Sequence, residues 1–147
     1  MSVEIIIRRA TTSDLDVVRS WLSDADLPSE DLTAAHMHEF LVALSADVPV
    51  GMIGLENFEN VGLLRSLVVD RNYRDAGVGR QLVNALESKA ARSGIAEFWL
   101  LTIDADPFFS GLNYVICERD DAPEAIRNTA EFSKLCPSDA VLMRKIL

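Results

Sequence analysis

Along the chain the spacing of apolar positions changes several times, and each change marks an element. Ile5, Ile6 and Ile7 form a short β-branched run that predicts a first strand. Thr11, Thr12, Ser13 and Asp14 follow, with Thr11 at the N-cap and Asp14 at the third helical position of a capping box. Leu15, Val18 and Leu22 then recur at helical spacing and predict a helix near 12–24. Asp26, Leu27, Pro28 and Ser29 break it, and Ser29 is placed to cap a short second helix reaching about His36. Strands over 40–44 and 48–58 flank the tight turn Ser45-Ala46-Asp47 as a hairpin. Beyond the turn Asn60-Val61-Gly62, residues 63–69 add a third strand. The polar loop 70–76 leads to Gly77-Val78-Gly79 and a helix with Leu82, Val83, Leu86 and Ala90 on one face, stopped at Ser93-Gly94. A strand over 97–102, a short helix over 107–112, a strand over 114–118, a helix capped by Asp121 and running through Thr129, and a strand over 140–145 complete the chain. This order predicts an α/β fold, a mixed sheet with helices on both faces. The crossover 63–102 should be right-handed, with its two strands parallel.

Length and composition agree with one globular domain over 1–147: 147 residues, 49% hydrophobic and 25% charged, without repeats or low-complexity linkers. The longest apolar runs, such as 98–101, fall far short of the ~20 residues of a membrane helix, so no membrane partner is expected. Met1-Ser2-Val3-Glu4 carries no positive n-region, which points to the cytoplasm. The net charge of −9 argues against a general nucleic-acid binder. A small anion remains bindable wherever cations cluster locally.

Such a cluster lies between the third strand and the long helix. Leu67-Val68-Val69 feeds the loop Asp70-Arg71-Asn72-Tyr73-Arg74-Asp75-Ala76, and Gly77-Val78-Gly79-Arg80 opens the helix. A helix start leaves backbone N–H groups unpaired and carries partial positive charge. Glycines let a bulky anion approach the backbone. With Arg71, Arg74 and Arg80, the segment has the makings of a pyrophosphate cradle. Gly-x-Gly alone equally serves strand-to-helix packing; the surrounding arginines favour the anion. The dinucleotide fingerprint is missing its third glycine, where Leu82 stands, and the Lys-Ser/Thr of a Walker loop is absent.

Arg74-x-x-Gly77-x-Gly79 after Leu67-Val68-Val69 resembles the acetyl-CoA motif of the GNAT acyltransferases, and the element order is similar to that fold over nearly the whole chain. The resemblance implies an acetyl-CoA cosubstrate. Backbone groups of Leu67, Val68 and Val69 would pair with the pantetheine arm. Those of Arg74, Asp75, Ala76, Gly77, Val78, Gly79 and Arg80 would hold the pyrophosphate, with Phe109 beside the cofactor. The second half, through Leu64-Arg65-Ser66-Leu67, Phe108-Phe109, Asp121-Ala122-Pro123-x-Ala125-Ile126-Arg127 and Phe132-x-x-Leu135-Cys136-Pro137, resembles acetyltransferases associated with arsenic resistance. Sheet-edge homodimers are common in the family.

Acetyl transfer to an amine needs a neutral nitrogen, a stabilised carbonyl oxygen and an outlet for the thiolate. The family's glutamate early in the strand before the phosphate loop is absent, since Leu63-Leu64 stands there. Glu56 in the neighbouring strand is the first candidate base, and a solvated strand residue is its equal alternative. Ser66 is placed to position a water or the acceptor. The family's tyrosine acid is replaced by Phe109, which has no proton to give; solvent or Tyr114 would protonate the thiolate instead, with Asn113 taking a left-handed position usually held by glycine. His36 and His38 lack ligand companions at a recognisable spacing, so no metal is expected. Cys117, alternating with Val115, reads as core, and Cys136 is the more open of the two thiols. Phe58 and Phe108 are candidate walls of an acceptor pocket. Together these point to an N-acetyltransferase acting on a small amine, with an acyl-CoA-binding sensor module as the alternative.

Overall fold

The computed structural model describes residues 4–25, 27, 29–130, 132–133 and 139–147, with the Asp75 side chain left aside. Cys136, and with it the Leu135-Cys136-Pro137 part of the resemblance, lies outside the described residues, as do Asp26 and Pro28. Seven strands make one sheet: β1 (Ile6–Arg9), β2 (Phe40–Ser45), β3 (Val48–Phe58), β4 (Val61–Val69), β5 (Glu97–Thr102), β6 (Val115–Cys117) and β7 (Val141–Ile146), in the order β1-β2-β3-β4-β5-β7-β6. The helices are α1 (Leu15–Asp24), α2 (Val78–Arg92), α3 (Asp106–Ser110) and α4 (Glu124–Arg127). None is long and apolar enough to cross a membrane.

Neighbouring strands are antiparallel except β4 and β5, which are parallel and joined through α2 as the crossover pattern predicts. That parallel ladder is short. It covers Val61–Glu97, Gly62–Phe98 and Leu63–Trp99, and from there on β5 pairs only with β7. The edge of β4 that faces β5 is therefore out of the ladder from Leu64 onward.

Strand alternation sends side chains to two cores. Leu41, Ile53, Leu55 and Leu64 face α2, whose Val78, Leu82, Val83, Leu86 and Ala90 are buried against them. On the opposite face Phe40, Val42 and Met52 meet Val18 and Leu22 of α1, with Leu32 and Met37. A smaller cluster of Leu63, Trp99 and Leu142 packs under Ile126 of α4. Helices thus cover both faces, as expected.

Three local expectations are corrected. The second helix is not 29–36; a 3₁₀ segment, Ala34–Glu39, follows Thr33. His36 Nδ1 lies 3.0 Å from the Thr33 N–H, a box closed by imidazole, while Ser29 offers only its carbonyl to the Leu32 N–H. Asp121 does not cap a helix through Thr129. Its carboxylate accepts the Glu118 N–H at 3.1 Å within a 3₁₀ turn, and α4 starts after Pro123 and spans one turn. Val115 and Ile116 are exposed because β6 is an edge strand, and Cys117 is half-buried rather than core.

Candidate active site

The loop after β4 is shaped by its first residue. The Asp70 N–H donates to the Val50 carbonyl at 2.8 Å, tying the strand end to β3. Its carboxylate accepts the Asn72 N–H at 2.9 Å and starts the 3₁₀ turn Arg71–Ala76. Arg74 Nε reaches back to the Val69 carbonyl at 3.3 Å. Gly77, at φ +80°, then turns the chain into α2, a conformation that penalises a Cβ. The first bond of α2 runs from the Gln81 N–H to the Gly77 carbonyl at 3.1 Å, so the N–H groups of Val78, Gly79 and Arg80 precede any intrahelical acceptor. Val78 is fully buried and pins this helix start to the sheet. Gly79 lies where three elements meet. A Cβ there would stand 3.3 Å from Phe108 Cζ on α3 and 3.7 Å from Val69 Cγ2 on β4. Leu67, Val69 and this glycine therefore adjoin one region, open above Gly77, where an added Cβ would meet nothing within 4 Å.

One turn of sequence earlier, β4 carries a bulge. Gly54 pairs with Arg65 and Met52 with Val68, so Ile53 opposes both Ser66 and Leu67. Ser66 takes φ +62° to make this possible. The bulge sits beside a buried charge cluster on the α1 face. Arg65 has a fully buried side chain and grips Asp31 with both terminal nitrogens, at 2.5 and 2.9 Å. The same guanidinium meets Glu56 Oε2 at 3.0 Å, and its Nε donates to Ser66 Oγ at 3.0 Å. Burial opposes ionisation of Asp31. The hydrogen bonds and charge of Arg65, with help from a backbone N–H and His36, outweigh it and hold the carboxyl below its ordinary range. His36 completes the group, with one donor atom each from Asp31, His36 and Glu56 within 4.8 Å. That donor set could take a cation, and Arg65 already supplies the positive charge between its two carboxylates.

The remaining candidates face elsewhere. Tyr114 is buried and donates its hydroxyl to Glu87 of α2 at 2.8 Å, while Lys145 of β7 holds the same carboxylate at 2.9 Å. Burial first, then the Glu87 charge and hydrogen bond, push the Tyr114 phenol far above its usual pKa, making it a poor proton donor. Phe109 is buried edge-on against both Phe108 and Tyr114. Phe108 beside Gly79 is the partly exposed ring of the pair. Phe58 packs against the Trp99 cluster.

A family model described as "Acetyltransferase (GNAT) family" matches residues 7–110. An uncharacterized N-acetyltransferase of Chlorobaculum tepidum is 30% identical over 115 residues, covering 76% of this chain and 73% of that protein. The chain belongs to the acetyltransferase (GNAT) family. Its class of activity, acetyl-CoA-dependent acyl transfer, comes with that membership.

Solved structures show the GNAT fold again. N-acetylglutamate synthase of Neisseria gonorrhoeae, in complex with coenzyme A and N-acetyl-glutamate, superposes with a TM-score of 0.85 at 19% identity over 100% of this chain. This chain spans 36% of that synthase chain, about a third of its length. A Mycobacterium tuberculosis protein in complex with CoA gives 0.78 at 22% identity, covering 97% of this chain and 99% of its own. Within that fold this chain carries a buried Arg65–Asp31–Glu56 cluster, which periodicity did not single out. Its signal is an arginine within the apolar run Leu63-Leu64-Arg65-Ser66-Leu67. Asp31 gave no such signal, because what it touches is far away in sequence, and His36 stood out only beside His38.

Proposed function

We propose that this GNAT chain acts as a single unit that moves the acetyl group of acetyl-CoA to the primary amine of a small molecule, by direct attack in a ternary complex. The observation that carries this reading is the course of β4. Its C-terminal end meets the N–H groups opening α2 that precede any intrahelical acceptor, and its bulge lies against the Arg65 cluster. A nucleotide diphosphate at 78–80 and a pantetheine arm along the free edge of β4, with backbone partners at Leu67 and Val69, would bring the thioester toward Ser66. The acceptor then approaches from the α1 face, where two carboxylates attract its ammonium. Glu56 takes a proton from that ammonium. The neutral nitrogen attacks the thioester carbon, the C–N bond forms as the C–S bond breaks, the nitrogen gives its second proton to water, and the thiolate takes a proton from water, since Tyr114 is committed to Glu87. Ser66, whose Oγ accepts from Arg65, is a positioning residue.

The test is thiol release across an amine panel that starts with amino acids and includes an organoarsenical amine, the acceptor suggested by the arsenic-associated resemblance. Glu56→Gln is expected to cut kcat and shift the pH profile, whereas Asp31→Asn should lower activity with the profile kept. An unchanged profile in Glu56→Gln discards Glu56 as base. Tight acetyl-CoA binding with no turnover on any amine would replace the enzyme with a sensor module.

A further inference from the structure

A second site is built at the opposite end of α2. Where β1 ends, the 3₁₀ segment meets β2 and α2 finishes, the surface folds into a cleft of about 190 Å³. Its floor is apolar: Leu55, Ala90 and Ile95, all buried. Its rim is charged. Arg9 stands on one side and, among the described residues, makes no ion pair. Lys89 stands on another, held only loosely, 3.6 Å from Glu39 and 3.4 Å from the His38 carbonyl. Among the described residues, Glu39 supplies the single carboxylate of the rim. Asn57 spends its side-chain oxygen on the Glu59 N–H at 3.0 Å, leaving its amide NH₂ as a donor toward the cleft.

A floor of aliphatic carbon, two cations for a carboxylate and one carboxylate for an ammonium are the complement of one chemical class. We propose that this cleft binds a small zwitterion with an aliphatic body, an α-amino acid, its carboxylate between Arg9 and Lys89 and its ammonium at Glu39. In a chain of net charge −9, two loosely committed cations on one cleft are a local exception of the same kind as the loop before α2. This is not the acceptor place of the proposed reaction. Leu55 and Asn57 point to the α2 face, while Glu56 between them points to the other, where Arg65 lies. The cleft is also about 20 Å from the helix start, the length of α2 at 1.5 Å per residue. The inference therefore stands whether or not the chain acetylates an amine.

The test is an amide-resolved NMR titration of the full chain with three probes: L-leucine, 4-methylpentanoate, which lacks the ammonium, and isoamylamine, which lacks the carboxylate. Leucine is expected to give saturable shifts at the amides of Asn57, Lys89 and Ser93, 4-methylpentanoate weaker ones and isoamylamine none. Arg9→Ala and Lys89→Ala should each weaken leucine about tenfold, the scale of one lost charge-assisted contact. Glu39→Gln should weaken leucine while leaving 4-methylpentanoate bound at least as well, since Lys89 loses its acidic neighbour. The site is overturned if leucine shifts only residues around Glu56 and Arg65, if isoamylamine matches leucine, or if both cation variants bind leucine as the parent does.

Discussion

At the scale of single residues, Arg65 decides the most. Its side chain has no exposure, and its guanidinium balances two carboxylates that are themselves mostly buried. Removing it leaves Asp31 and Glu56 as uncompensated buried charge, which costs about 3–5 kcal/mol. Arg65→Met should therefore lose a large share of the stability of a domain this size, measured by urea unfolding. Arg65→Lys should recover only part of it, because an ammonium cannot bind Asp31 with two parallel bonds. Asp31 adds a pH dependence of known sign. Its folded pKa is depressed, so its contribution is complete above the unfolded carboxyl value of about 4 and is lost as pH falls through the lower folded value. The stability gap between the parent and Asp31→Asn should stay constant from neutral pH down to that region and shrink below it. A gap that ignores acid would show that Arg65 does not hold the ionised carboxylate. These partners were hidden in the sequence for a simple reason. Arg65 and Asp31 are 34 positions apart, and no local spacing reports a contact of that range.

Elements formed by local forces were legible, and those formed by distant ones were not. The hairpin turn was readable because Ser45-Ala46-Asp47 interrupts two apolar runs, and Ala46 and Asp47 take the positive φ of a two-residue loop that matches strand twist. So was the left-handed Asn113, at φ +75°. The long helix declared itself through its apolar stripe and its Ser93-Gly94 stop. The 3₁₀ segment at Ala34–Glu39 did not, because a histidine rather than an acid closes its box. Nor did the clasp that ties three elements together through Glu87 of α2, Lys145 of β7 and Tyr114 ahead of β6. That clasp predicts an alkaline limb. The folded Tyr114 pKa is raised, so its neutral form favours the fold fully below the unfolded phenol value of about 10, and stability falls as pH rises above that value. Tyr114→Phe should cost about 1 kcal/mol at neutral pH for the lost hydrogen bond and should flatten the loss of stability between pH 10 and 11, read as melting temperature against pH. Equal alkaline slopes in the two proteins would remove Tyr114 as their source.

For the whole molecule, the decisive feature is that β4 and β5 start as a ladder and then part. Sequence periodicity finds both strands but not where their pairing stops, because separation is a property of the sheet and of the bulge at Ser66. The opening has a consequence that can be measured on the intact chain. A ligand that bridges the free edge of β4 and the start of α2 binds the folded state alone, so it stabilises by RT ln(1 + [L]/Kd), about 2.7 kcal/mol at a hundredfold excess over Kd. For a chain of 147 residues that corresponds to a rise of roughly 5–10 °C in Tm. Acetyl-CoA should produce such a rise, and desulfo-CoA most of it, since the diphosphate and pantetheine carry the binding. Gly77→Val should lose the rise through two effects that the experiment separates. At φ +80° the β-branched side chain strains the turn and lowers the ligand-free Tm. The tilted N–H groups of Val78, Gly79 and Arg80 would then no longer meet the diphosphate together, so added acetyl-CoA would shift Tm little. Gly77→Asn, which tolerates the left-handed region, should restore much of both. A Gly77→Val protein that starts lower yet climbs as far as the parent with acetyl-CoA would mean that the diphosphate is held somewhere other than the opening of α2.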